Sequence, residues 1–296
     1  SDNNGAYLYF YDAYSIEAAS KESQGAMTAA YVFGYRLALL VAGAGALYAA
    51  AIFSWSFAYF LMAGFMLAGM LLVFFMVEPP PPKIFIDVGD SKDLLSRLRT
   101  AVIGPIINFF VRYRRYAIGI LIFVAIFRLS DITMGIMTNP FFIDLGYTKT
   151  EIANVAKVYG FFMTILGAFI CGLFVSKISI FLPLLIGGII VCLSNLLFYF
   201  LATSEPNLLN LVIVISFDNF AGGFASTAFI AYLSGLTDKS YTATQYALFS
   251  SLMTLPGKFF SGFSGILVDS FGYQDFFMFS AALGLPGILM VGWLFY

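Results

Sequence analysis

The stretch FDNFAGGFASTAFIAYLSGL, residues 217–236, decides the reading of this chain. It belongs to a run, 207–234, that is otherwise apolar enough to cross a bilayer, which takes about 20 such residues. Yet it carries Asp218, Asn219, Gly222, Gly223, Ser226 and Thr227. At about 100° per residue these six fall within one half of a helix. Phe217, Phe220, Phe224 and Ala228 occupy the other half. A close helix–helix seam accounts for the glycines. It does not account for an Asp-Asn pair at the head of the stripe, so the stripe is expected to face a watered cavity. Both readings require the segment to be a membrane span inside a larger protein assembly of helices.

The rest of the chain agrees. Of its 296 residues 61 % are hydrophobic and 10 % charged, with 35 Phe and 18 Tyr. A soluble domain is about a quarter charged. Eight spans are expected at 28–52, 55–77, 116–138, 153–175, 179–202, 207–234, 242–268 and 274–296. A shorter apolar remnant precedes them at Ala6–Ala19. Glu78 and Pro79–Pro82 stop the second span, because proline removes an amide donor and clashes with the preceding turn. Asn139-Pro140 is expected to end the third. The fold class is therefore an all-α polytopic membrane protein.

One long polar stretch, 78–115, interrupts the spans. It holds Lys83, Lys92, Arg97, Arg99, Arg112, Arg114 and Arg115. Its second half reads as an amphipathic interfacial helix, with Leu94, Leu95, Leu98, Val102 and Ile106 toward lipid or protein. Lys21, Lys177 and Lys239 fall on the same side by alternation, against Lys149 and Lys157 on the other. The positive-inside rule then makes the 78–115 loop and the C-terminus cytoplasmic.

The composition also excludes functions. There is no His, no Gly-rich Walker loop and no zinc spacing, so no enzyme is expected. Net charge is −1, which gives no case for nucleic acid. Cys171 and Cys192 sit in apolar segments as small core residues, so no metal, disulfide or cofactor is expected.

Charged residues in spans are functional candidates because each is costly in lipid. These are Arg36, Arg128, Asp131, Asp218 and Lys258, with Asp12 and Glu17 in the remnant. Arg128 and Asp131, at i and i+3, share a face; they can pair to fix packing or line a polar pathway. Thr244, Ser251, Thr254 and Lys258 share a face of the seventh span, where Pro256-Gly257 is expected to break the backbone. Lys258 can equally snorkel to an interface.

At this point DAYSIE (12–17), QGAMTAAYVFGYRLALLVAGAGALYAA (24–50), SWSFAYFLMAGFMLAGMLLVFFMVEPPPP (54–82), FRLSD (127–131), DNFAGGFASTAFIAYLSGL (218–236) and YTATQYALFSSL (241–252) resemble the muropeptide permeases of the AmpG type, members of the major facilitator superfamily. The resemblance implies two six-helix bundles that import anhydro-muropeptides across the bacterial inner membrane by proton-coupled alternating access. Residues 1–77 would be the C-terminal part of the first bundle, 78–115 the inter-bundle loop and 116–296 the second bundle. Helices one to three would be missing, which leaves open a second chain that supplies them. Ser15 departs from the family pattern, where Arg usually follows Asp-Ala-Tyr, as does Tyr7-Leu8, where Gln-Asp usually precedes it. On this reading Asp218, Asp131, Asp12 and Glu17 are the proton-coupling candidates. Arg128, Lys258 and Arg36 would meet peptide carboxylates. Asn219, Ser226, Thr227, Thr244, Gln245 and Ser251 would hydrogen-bond sugar and peptide. The alternatives are another anionic substrate such as acetyl-coenzyme A, or a non-transporting fragment.

Overall fold

The computed structural model describes residues 34, 37–39, 41–45, 49, 53–74, 94–238 and 241–295. Asp12, Glu17 and Arg36, the Ala6–Ala19 remnant and most of the expected 28–52 span lie outside them. The chain divides into two compact units, Ser1–Gly89 and Asp90–Tyr296.

In the first unit, a π-helical turn at Val41–Gly45 is followed by helix α1, Trp55–Phe74. Helix α1 is apolar on all sides, and Phe60, Tyr59 and Leu72 are among its many exposed large side chains. Water penalises such a surface and lipid does not.

The second unit is all-helical among its described residues. Helix α2 (Leu94–Tyr113) is joined by a 3-10 turn, Arg114–Tyr116, to α3 (Ala117–Ile126) and α4 (Leu129–Asp144). A short α5 (Lys149–Ile152) and a π stretch (Ala153–Tyr159) lead into α6 (Gly160–Lys177). Then come α7 (Phe181–Thr203), α8 (Leu208–Leu236), α9 (Thr242–Ser261) and α10 (Ser264–Phe295). Among the described residues six helices are long and apolar enough to cross a membrane, by length and composition.

Two of them must bend. The apolar helical run Ile103–Asp144 is 42 residues, about 63 Å at 1.5 Å per residue, twice the hydrocarbon thickness. It turns at Arg114, whose φ of 45° is left-handed, and again at Arg128, with φ −96° and ψ 3°. Helix α10 is interrupted at Gly272, where φ is 83°, a conformation that glycine alone adopts without cost. The Ser264 hydroxyl reaches the Thr133 carbonyl, while the Ser280 carbonyl accepts from the Ser130 hydroxyl. Ser264 and Ser280 are equidistant from Gly272, and both meet the first turns of α4. The element therefore folds back at Gly272 as a helical hairpin, whose short first arm holds the end of the expected seventh span, most of which is α9, and whose second arm holds the eighth.

Contacts sort the connections into two ends. At one end Tyr147 bonds Asn207, Tyr273 donates to Asp144 and Gln274 to the Ala202 carbonyl. At the other Tyr113 donates to the Leu236 carbonyl, Arg112 to that of Thr237, and Tyr116 packs near Trp293. Successive spans thus run antiparallel. Near each end lies an aromatic layer: Phe123, Phe127, Phe229 and Tyr232 in one, Phe141, Phe142, Phe198 and Phe277 in the other. Between them the packing is of small and polar side chains.

Two expectations on prolines fail. Helix α4 continues through Pro140 to Asp144, and α9 continues through Pro256 and Gly257 to Ser261. Neighbouring helices support a proline-containing helix at membrane depth. Gly257 instead permits close approach, since a Cβ there would sit 2.8 Å from Ile132. At the first-named end, Thr148 and Glu151 cap α5 reciprocally. The Thr148 amide donates to Glu151 at 2.9 Å and the Glu151 amide to the Thr148 hydroxyl at 3.2 Å. The Thr148 hydroxyl, and then its amide, hold the Glu151 carboxyl below its ordinary pKa.

Candidate functional site

The six residues of the opening stripe do not act together. They form two neighbouring i, i+4 columns of α8, and the structure sends them to different partners. The column of Asn219, Gly223 and Thr227 belongs to the seam with α6. Asn219 accepts from the Thr164 hydroxyl at 3.1 Å and donates to the Ile215 carbonyl. A methyl on Gly223 would collide with the Thr164 carbonyl, and one on Gly167 with that of Phe220. Thr227 returns its hydroxyl to the Gly223 carbonyl. The small-residue seam, set aside in reading the sequence, therefore explains half of the stripe.

The other column, Asp218, Gly222 and Ser226, is polar in use. A Cβ on Gly222 would meet open space. Asp218 accepts from the Ser194 hydroxyl of α7 at 3.3 Å. Ser226 accepts from an Arg128 guanidinium nitrogen at 2.5 Å. The other terminal nitrogen of Arg128 pairs with the Asp131 carboxylate. Asp131 and Asp218 are close enough to interact electrostatically. Arg128 thus pairs with one of two neighbouring carboxylates and reaches the Asp218 column through Ser226. The Arg128 and Asp131 side chains keep 21 % and 24 % of their surface open, so the pair borders open space on one side.

Behind it a second network closes the site. Asn195 donates to the Ser130 hydroxyl at 2.6 Å, which donates to the Ser280 carbonyl at 2.6 Å. The Arg128 Nε, Thr133 Oγ1, Asn195 Oδ1 and Ser280 Oγ atoms are buried and have no hydrogen-bond partner among the described residues. A cavity lined by Arg128, Ser130, Asp131, Cys192 and Gly284 adjoins this network. Four such atoms in one layer is costly in a dry core.

The remaining candidates lie elsewhere. Gln245 is buried at the other end of α9, where it donates to the Pro105 carbonyl and Asn108 and accepts from the Asp238 amide at 2.7 Å. Its hydrogen-bonding capacity is spent on joining α2 to the α8–α9 turn. Ser251 lines an apolar groove of α2, α3 and α9 with Leu248 and Leu255. Thr244 is half-buried in the first turn of α9, and Lys258 is exposed near its end. Ser130, Thr133, Ser194, Asn195 and Ser280 were not singled out in the sequence. Ser194-Asn195, a polar pair inside CLSNLL, offered a signal; Ser280 did not.

The chain resembles known transporters across its length. The Major Facilitator Superfamily profile matches residues 5–261. AmpG 4 of Rickettsia conorii is 35 % identical over 285 residues, covering 96 % of this chain and 67 % of that protein. AmpG 1 of the same organism is 32 % identical, over 94 % of this chain and 68 % of its own length. The anhydromuropeptide permease of Escherichia coli K12 is 31 % identical over 283 residues, 95 % of this chain but 55 % of the permease. With its apolar antiparallel helices, the chain is a multi-pass membrane protein of a transporter family and not an enzyme, and it belongs to the major facilitator superfamily, among transporters of AmpG type.

Proposed function

We propose that this chain serves proton-coupled import of anhydro-muropeptides across the bacterial inner membrane, in whole or as the larger part of the carrier. The similarity to the E. coli permease supports the substrate class. The observation that carries the coupling is the closeness of the Asp218 carboxyl to Asp131, the carboxylate that Arg128 pairs. With both carboxylates ionised the trio carries one negative charge, which is costly at low dielectric. A proton on Asp218 neutralises the trio, so that a substrate carboxylate can join Arg128 beside Asp131 at the net charge the trio carried before. Release of the proton on the cytoplasmic side restores the trio and expels the anion. Ser226 and Ser194 steer the guanidinium and the carboxyl through this exchange. In this reading 1–77 belongs to the first bundle, 78–115 is the cytoplasmic connection, 116–296 is the second bundle and the C-terminus is cytoplasmic. The basic residues of 78–115 support that orientation.

The test is uptake of labelled anhydro-disaccharide tetrapeptide by cells that lack their own permease and express this chain. Competition by unlabelled muropeptide, and none by acetyl-coenzyme A, is expected. Uptake blocked by acetyl-coenzyme A alone overturns the substrate, and well-inserted protein without flux overturns transport by this chain on its own.

A further inference from the structure

At the membrane end that holds the α8–α9 turn, the chain sets arginines beside aromatic rings and lipid-facing aliphatics. Arg112 is committed: it donates to the Thr237 carbonyl and lies 4.0 Å from Asp238. Arg115 lies over the Tyr116 ring, 4.8 Å from its centroid, and donates to the Tyr116 hydroxyl at 2.7 Å. Arg114 is exposed and has no hydrogen-bond or ion-pair partner among the described residues. Its left-handed φ of 45° is a costly conformation for a side-chain-bearing residue. Such strain persists where the surroundings fix it, and here it fixes the turn that puts Arg114 and Arg115 at the head of α3.

Below this head the surface is apolar. Ile118 and Ile122, at i+4 and i+8 from Arg114, are 63 % and 48 % exposed. The rings of Tyr116 and Trp293 stand near each other at this end of α3, with centroids 6.1 Å apart. Gly119 admits the indole, since a Cβ there would stand 2.6 Å from a ring carbon. Aromatic residues of this kind mark the level of the lipid headgroups.

We infer that Arg114 and Arg115 form a binding site for an anionic phospholipid of the surrounding leaflet. The phosphodiester oxygens accept from the two guanidiniums, whose planar forks match phosphate. The acyl chains run down Ile118 and Ile122. Charge complementarity selects the occupant, because a zwitterionic lipid presents no net charge to the pair. The inference rests on the bilayer setting and not on the transported substrate.

The test uses the full chain with Trp55→Phe, which leaves Trp293 as its single tryptophan, reconstituted into vesicles. Brominated phosphatidylglycerol or brominated phosphatidylcholine is titrated as quencher. Each arginine contributes about fivefold, so a preference of about 30-fold for phosphatidylglycerol is expected. R114Q/R115Q should reduce it to near unity, R114K/R115K should keep most of it, and R112Q should leave it unchanged. Equal quenching by both lipids in the parent chain, or an undiminished preference in R114Q/R115Q, overturns the site. Should R114Q/R115Q fail to fold, salt decides: a preference that persists at molar salt overturns the site, and one that collapses supports it.

Discussion

Removing the guanidinium and removing its partner should not cost the same. Arg128→Gln leaves Asp131 without its cation and close enough to Asp218 to repel it. Removing one member of a buried pair costs about 3–5 kcal/mol, because the partner charge remains desolvated. For a unit of about 200 residues, each kcal/mol lowers Tm by about 2–4 °C. Arg128→Gln is therefore expected to lower Tm by about 6–20 °C. In Asp131→Asn, Arg128 keeps Ser226 and the like charge beside Asp218 is removed, so a loss of about 1–2 kcal/mol and about 2–8 °C is expected. The pair Arg128→Gln/Asp131→Asn should recover part of the Arg128→Gln loss, since one of the stranded carboxylates is gone. The two cysteines supply the assay: Cys171 and Cys192 are both buried and free, so a fluorogenic maleimide reports unfolding in detergent. Equal losses for the two single variants, or a double variant less stable than Arg128→Gln, would refute this reasoning.

Three more expectations follow from the packing. Gly223→Ala forces a methyl onto the backbone carbonyl of Thr164, which cannot rotate away; the same maleimide assay should show a loss of about 1–3 kcal/mol, while Gly222→Ala, facing open space, should show almost none. Gln245→Ala strands the Asp238 amide and the Pro105 carbonyl, at a cost of about 1–3 kcal/mol in Tm-derived stability, with Gln245→Glu only partly restoring it. Glu151 has a depressed pKa in the folded chain, so its contribution is present above its unfolded pKa and lost as pH falls through the lower folded value. Hydrogen exchange at 148–152 should accelerate over that acidic window, and Glu151→Gln should flatten the response.

The spans could be read from the sequence because apolar runs of about 20 residues have few other uses. Where the sequence reading expects eight spans, six helices among the described residues are long and apolar enough to cross, and the contacts between Tyr273 and Asp144 and between Tyr113 and Leu236 sort the loops as alternation requires. Prolines misled, because Pro140 and Pro256 break helices in water but are supported in a packed membrane bundle. The stripe on α8 was legible as polar but not as divided. Periodicity places Asp218 and Asn219 on one half of a helix, whereas only the positions of α6 and α7 decide that Asn219 bonds Thr164 and Asp218 bonds Ser194. Ser130, Asn195 and Ser280 converge from three helices, and nothing local in the sequence predicts that meeting.

The central claim is that Asp218 carries the coupled proton. Its most direct test is accumulation of labelled anhydro-disaccharide tetrapeptide at external pH 5.5 and 7.5, for the unaltered chain and for Asp218→Asn at equal membrane levels. The account predicts uptake that rises on acidification in the unaltered chain and is lost, together with its pH response, in Asp218→Asn. Accumulation by Asp218→Asn with an unchanged pH response would contradict it.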